Sequence, residues 1–438
     1  MNATSFAPAV LVTAGLLLSA TSQAEAVDIQ EVTSPGGITA YLVEDYTNPL
    51  VAMRFAFKGA GTTQDEDGRE GTANLLSGLL DEGAGDISSA DFQSKLDELG
   101  ISLSYSASLD AFSGNFRTIV ENEDEAFELL RLSINEPRFD EEPVARIRGQ
   151  IETGIIADRN NPDTLASEAF RETVFGDHPY ARPTEGTVES LNAVTAEDLE
   201  AFRSSAFARD NLFIGVVGAI DAERLGEKLD AVFGALPETA ELTPVELIVP
   251  QFGTRTDVDL AVPQTNIQFA LPGVARDDDE FFAAYLMNHI LGGGTFTSWL
   301  FQEVRETRGL AYGVGSYLAS YDHASILAAS TATRADAADE SISVIEAQMA
   351  RMVEEGPTEE ELQKAKDYVK GSYAIQNLSS SLSIASTLVG IQLDDLGIDY
   401  IEEREALIDA VTLEDVRTIA RELLSGEPTV VTVGPAAG

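Results

Sequence analysis

Two stretches of the chain alternate apolar and polar positions as a half-buried strand requires. Val51 to Phe57 is one, and Asn266 to Leu271 is the other. A helical stretch with a glycine-rich exit follows each. Thr72 to Leu80 runs into Glu82-Gly83-Ala84-Gly85, and Glu280 to Leu291 runs into Gly292-Gly293-Gly294. A second helix then leads into another strand, Ile101 to Leu109 or Leu310 to Ala319. There Ser-Tyr-Ser-Ala-Ser and Tyr-Gly-Val-Gly-Ser-Tyr-Leu keep the period of two. Long helical segments come next. Thr-x-x-Asp at Thr195 and Thr412 places an N-cap before a terminal helix. An apolar β-run, Phe213 to Gly218 or Val430 to Gly434, closes each half.

The shared grammar is a duplication. Phe92-Gln93 followed by Gly100-Ile101 recurs, at one offset, as Phe301-Gln302 followed by Gly309-Leu310. Val194-Thr195-Ala196-Glu197-Asp198-Leu199 recurs as Val411-Thr412-Leu413-Glu414-Asp415-Val416. Two copies are too few for a solenoid. Strands and helices that do not strictly alternate indicate an α+β fold: two duplicated domains of mostly antiparallel sheet, with helices on one face. Gly234 to Pro250, with Pro237, Pro244 and Pro250, reads as a linker. The expected units are residues 27–238, a linker over 239–250, and residues 251–438.

Composition narrows the function. The chain has 438 residues, enough for two or three domains. Its 74 acidic and 28 basic residues give a net charge of −46. Such a surface repels phosphate backbones, so nucleic acid is excluded as a partner. There is no cysteine, hence no disulfide, thiolate ligand or cysteine nucleophile. Ala9 to Ala20 is a short apolar run followed by Ala24-Glu25-Ala26. It has the form of a signal peptide over residues 1–26, with Val27 as the mature start, although no Lys or Arg precedes it. The run is too short to span a bilayer, and no other segment looks transmembrane. The expected location is the periplasm of a Gram-negative bacterium.

The first candidate constellation is Gly71-Thr72-Ala73-Asn74-Leu75-Leu76-Ser77-Gly78-Leu79-Leu80. Here the chain resembles the insulinase-type (M16) zinc peptidases, whose fold is that of the mitochondrial processing peptidase. Active members of that family carry H-x-x-E-H on this helix: two His on one face hold zinc, and the Glu acts as general base. The resemblance puts Asn74, Ser77 and Gly78 at those three positions. None can serve, since Gly has no side chain and neutral Asn and Ser are poor zinc ligands. Counting to the third ligand lands on Thr153 or Gly154, with Glu152 adjacent but out of phase. The whole chain has three His, His178, His289 and His323, and no H-x-x-x-H spacing. No metal ligand and no catalytic residue is therefore assigned.

The second constellation, Leu291 to Val314, is similar to the family's G-G-G-x-x-S-R-L-F-x-x-I/V-R-E-x-x-G-L-A-Y stretch, with Trp299 where Arg is usual. The resemblance implies a substrate grip by Arg305 and Tyr312, with Gly292, Gly293 and Gly294 lining the approach. A guanidinium and a phenol are donors suited to a peptide carbonyl and its oxyanion. On residue type alone, Arg305 would instead pair with Glu303 or Glu306, and Tyr312 would fill a core. A third stretch, His178-Pro179-Tyr180-Ala181-Arg182-Pro183, is similar to the family's H-P-Y-G-x-P turn. It reads as a rigid loop rather than a catalytic histidine. His289 on an apolar helix face reads as a satisfied core residue, and His323 as a turn residue.

The resemblance covers nearly all of residues 30 to 436. It implies a non-catalytic, substrate-binding subunit of a heterodimeric zinc endopeptidase, inactive alone. A partner chain with H-x-x-E-H would supply the zinc, and an unfolded peptide would be the substrate. Two rivals remain: a structural scaffold of the same fold without peptidase work, and a peptide-binding chaperone.

Overall fold

The structure is a computed structural model that describes residues 28–435; the expected leader lies outside the described residues. Eleven strands form two sheets among the described residues. The first contains β1 (Gln30–Thr33), β2 (Thr39–Glu44), β3 (Leu50–Lys58), β4 (Ser102–Ala107), β5 (Ala111–Ile119) and β6 (Leu212–Gly218), in the order β1-β2-β6-β3-β5-β4. The second contains β7 (Arg255–Asp259), β8 (Gln264–Pro272), β9 (Ala311–Ser320), β10 (Ser325–Arg334) and β11 (Thr429–Gly434), in the order β7-β11-β8-β10-β9. The runs β6-β3-β5-β4 and β11-β8-β10-β9 have the same order, which is the duplication in three dimensions. Both sheets are antiparallel except where β2 joins β6 and β7 joins β11.

Alternation along β3 explains its two faces. Val51, Met53, Phe55 and Phe57 point into a core shared with the helices of the first half. In the second sheet Ile267, Phe269 and Leu271 do the same against the Phe281–Asn288, Ala338–Glu354 and Leu413–Leu424 helices. The mirrored caps at Thr195 and Thr412 are formed. Each hydroxyl accepts the N–H of Asp198 or Asp415 at 3.2 Å, and each Asp accepts the Thr N–H at 2.8 Å.

The opposite faces are covered by exchange. The Pro162–Phe175 helix of the first half lies on the second sheet, where Phe170 and Val174 meet Ala270, Ile326, Ala328 and Val431. The Ser381–Leu393 helix of the second half lies on the first sheet, where Ala385 and Leu388 meet Val43 and Val217. A Cβ on Gly215 would come within 2.5 Å of the Ala385 carbonyl, so glycine there lets the helix seat on the strand.

Four expected elements differ. The helix expected over Thr72 to Leu80 ends at Ser77, and Gly78 to Leu80 continue as looser turns. The helix expected over Glu280 to Leu291 stops at Asn288 and widens into a π-helical turn, His289–Gly293. The hairpin partners β5 and β10 stand where the pattern suggested helix. Both are buried on two faces along part of their length, which erases the period of two. Residues 239–250 carry no helix or strand. They are fastened to the surface by Thr243 with Gln64, Glu246 with His178 and Ile248 with His323.

Candidate functional site

The degenerate metal position comes first. Asp65, buried, accepts the N–H groups of Gly71 and Ala73 at 2.8 and 2.9 Å and so caps the Thr72–Ser77 helix. Burial pushes its carboxyl up to about 7, against those two hydrogen bonds. Asn74 faces a cleft of about 590 Å³ between the Glu141–Asp158 and Pro162–Phe175 helices. Ser77 turns its hydroxyl back to the Asn74 carbonyl at 2.8 Å. At Gly78 a Cβ would meet Ile147 at 2.9 Å, so an isoleucine methyl takes the room a second imidazole needs. Of the two counted third-ligand positions, Gly154 lines the cleft, while Thr153 donates to the Gly149 carbonyl. Glu152 is held by Asn192 at 2.7 Å. The zinc of the family does not fit here: a glycine, a blocked glycine, an amide and a self-bonded hydroxyl offer no ligand set.

The second constellation sits where the chain reverses onto the edge strand β9. Gly309, at φ +63°, ends the Phe301–Thr307 π-helical turn, and its N–H donates to the Arg305 carbonyl at 2.9 Å. Arg305 and Tyr312 therefore flank one tight reversal. Tyr312 is 88 % exposed and fills no core. Arg305 has its guanidinium 4.7 Å from the Phe301 ring centroid and no hydrogen bond among the described residues. Glu303 pairs with Arg308 instead, and Glu306 stands 3.6 Å from Arg305 Nε. Of the two pairings that residue type alone suggested for Arg305, the one with Glu306 is formed at the surface, and Tyr312, seven residues on, reaches solvent across the same reversal.

The glycine run has a local job. A Cβ on Gly292 would come within 2.4 Å of Ser316 Oγ on β9, and one on Gly294 within 2.7 Å of the His289 carbonyl. A Cβ on Gly293 would meet Asn288 Nδ2 at 2.9 Å. At Gly292 the close approach is therefore to the chain's own edge strand β9, and at Gly293 and Gly294 it is to Asn288 and His289 at the start of the same turn. Trp299, the departure from the motif, is buried. It donates to Glu361 at 2.8 Å and lies under Arg351 at 3.9 Å.

The histidines divide. His178 accepts the Tyr180 N–H and bonds the Glu246 carbonyl, a structural loop residue. His323 lies on the β9–β10 turn. His289 is half-buried, and its ring has no hydrogen-bond partner among the described residues, so it is not the satisfied core residue expected. Burial pushes its pKa down and keeps it neutral. Sequence reasoning missed Arg171, which lines the cleft beside Asn74 and which no motif marks.

Comparison with known proteins agrees with this layout. Residues 42–188 match the sequence model of the insulinase family (peptidase family M16), and residues 193–369 match that of the peptidase M16 inactive domain. An uncharacterized zinc protease of Streptomyces coelicolor is 26% identical over 425 residues, covering 93% of this chain and 90% of its own length. The non-peptidase homolog YmxG of Helicobacter pylori is 24% identical and covers 83% of this chain and 84% of its own. A crystal structure described as a peptidase M16 inactive domain from Pseudomonas fluorescens superposes with a TM-score of 0.88 at 27% identity, covering 94% of this chain and 99% of that one. The chain belongs to the insulinase (M16) peptidase family and is a non-catalytic-type member of it, without the H-x-x-E-H motif and with the Arg305/Tyr312 pair.

Proposed function

We propose that this chain is the substrate-binding subunit of a heterodimeric zinc endopeptidase acting on unfolded peptides in the periplasm. Zinc and the general base come from a partner M16 chain carrying H-x-x-E-H. The observation that carries the reading is the asymmetry between the two sites. The metal position has no ligand set, while Tyr312 stays solvent-facing and Arg305, held only by a surface ion pair to Glu306, has no hydrogen bond among the described residues. The glycine run (Gly292, Gly293, Gly294) sets the β9 edge beside them. Two donors in fixed positions would hold a peptide carbonyl and stabilise the oxyanion that a partner's metal-bound water creates.

The name of the Helicobacter pylori relative, a non-peptidase homolog, favours a second reading, a scaffold or peptide-binding protein without peptidase work. Mixing separates the two. Each chain alone should be inert towards a quenched peptide and the mixture active. Arg305→Ala should lower the activity of the mixture about 10²–10³-fold, as removing one oxyanion donor does, with zinc content unchanged. A silent Arg305→Ala would remove the grip role; an inert mixture would favour the second reading.

A further inference from the structure

The cleft beside Asn74 does more than mark a lost metal. It lies between the Glu141–Asp158 and Pro162–Phe175 helices and the turn at Pro183 to Gly186, and its volume of about 590 Å³ is that of a site for a ligand of a few residues. Arg171 lines it, half-buried. Its Nε is sequestered from solvent and has no acceptor, and the side chain makes no ion pair among the described residues. Arg159, exposed and lining the same cleft, has no hydrogen bond or ion pair among the described residues. In a chain with 74 acidic and 28 basic residues, a half-buried arginine without a carboxylate needs a reason.

The acids of the same cleft are mostly occupied. Asp163 accepts from Asn266 at 2.6 Å, Asp158 from Asn161 at 3.2 Å and Glu185 from Thr184 at 2.9 Å. Glu168 is the exception. It sits one helical turn before Arg171, beyond ion-pair distance from it, and has no hydrogen bond among the described residues. Ile151, Ile155 and Leu165 supply apolar wall between these groups.

We infer that this cleft binds the free carboxylate end of a short peptide, with Arg171 as the carboxylate's partner and Glu168 facing a cationic group upstream. A planar guanidinium matches a carboxylate through two parallel hydrogen bonds, which a C-terminal amide cannot accept in the same way. The excess of acids over arginines in the cleft selects a ligand that is not wholly anionic. A free carboxylate is also the end that peptide-bond hydrolysis creates. The ligand class is therefore a peptide with a free C-terminus, of which a cleaved fragment is one source. The inference is independent of any partner subunit, since it is read on the isolated chain.

Calorimetric titration of the isolated chain at low salt tests it, with Lys-Leu-Leu-Ala as free acid and as C-terminal amide. The acid should bind at least about tenfold more tightly, in the range that a charge-assisted hydrogen bond contributes. Arg171→Gln should erase that preference and Glu168→Gln should weaken both peptides. Equal binding of acid and amide, binding of neither, or a preference that survives Arg171→Gln overturns the inference. Should Arg171→Gln not fold, the acid-against-amide comparison on the native chain decides alone.

Discussion

The Tyr180 hydroxyl donates to Asp110 Oδ1 at 2.7 Å, and the tyrosine is fully buried. The Tyr180 hydroxyl oxygen in turn accepts the N–H of His323 at 2.9 Å, and Asp110 Oδ2 accepts the N–H of Asp322 at 3.2 Å. Asp110 sits on the β4–β5 turn and Asp322-His323 on the β9–β10 turn, so one phenol ties corresponding hairpins of the two halves together. Burial and the neighbouring Asp110 both push its pKa up, so it stays a donor at every working pH.

Tyr180→Phe removes that donor and leaves a buried backbone N–H and a carboxylate oxygen without it. It should lower unfolding stability by about 1–3 kcal/mol. Denaturant titration reads this as a lower midpoint, and the loss should persist in high salt because the groups are screened little by solvent ions.

Asp65 gives a pH signature. Its folded pKa of about 7 lies above the ordinary value of 3.8. The folded state therefore holds a proton that the unfolded state has released. The contribution is fully present below pH 4 and is lost as pH rises through 7, at about 1.4 kcal/mol per unit. The net charge of −46 produces a decline of the same sign, so the native curve alone does not isolate Asp65. Asp65→Asn keeps a cap acceptor and removes the titration. Its stability should fall less than the native chain's between pH 4 and pH 7, read by thermal melts.

The Gly292 and Gly313 pair separates packing from free surface. Gly292→Ala drives a Cβ into Ser316 and should cost about 1–3 kcal/mol. Gly313, one residue past Tyr312 on the same edge strand, has no atom within 4 Å of its would-be Cβ. Gly313→Ala should leave the melting temperature within about a degree or two, since surface changes fall within about 0.5 kcal/mol.

Rebuilding the motif should fail on its own. Asn74→His, Ser77→Glu and Gly78→His together still collide with Ile147 and still lack a third ligand at Gly154. The triple variant should be destabilised and take up no stoichiometric zinc. Adding Ile147→Ala and Gly154→Glu should restore binding, measured by metal analysis after dialysis.

Much of this was legible in the chain itself. The alternation at Val51 to Phe57 located a real strand because its second face carries the small or charged Ala52, Arg54 and Ala56 even though it is covered, and the caps at Thr195 and Thr412 located real helices because each has one cap geometry. The duplication followed from matched segments. The strands β5 and β10 were not legible: each buries residues of both faces along part of its length, and that burial is a tertiary fact. Arg305 and Tyr312 were marked by a motif, whereas Arg171 was not. Its meaning depends on a missing partner that only folding reveals. The role of Gly292 also changed, since the space it leaves is filled by Ser316.

The proposed division of labour requires that this chain cannot hold a hydrolytic metal. Metal analysis of the isolated chain, after incubation with excess zinc and exhaustive dialysis, tests that most directly. The prediction is zinc far below one ion per chain, together with no cleavage of a quenched peptide in the same sample. One tightly held zinc per chain would contradict it.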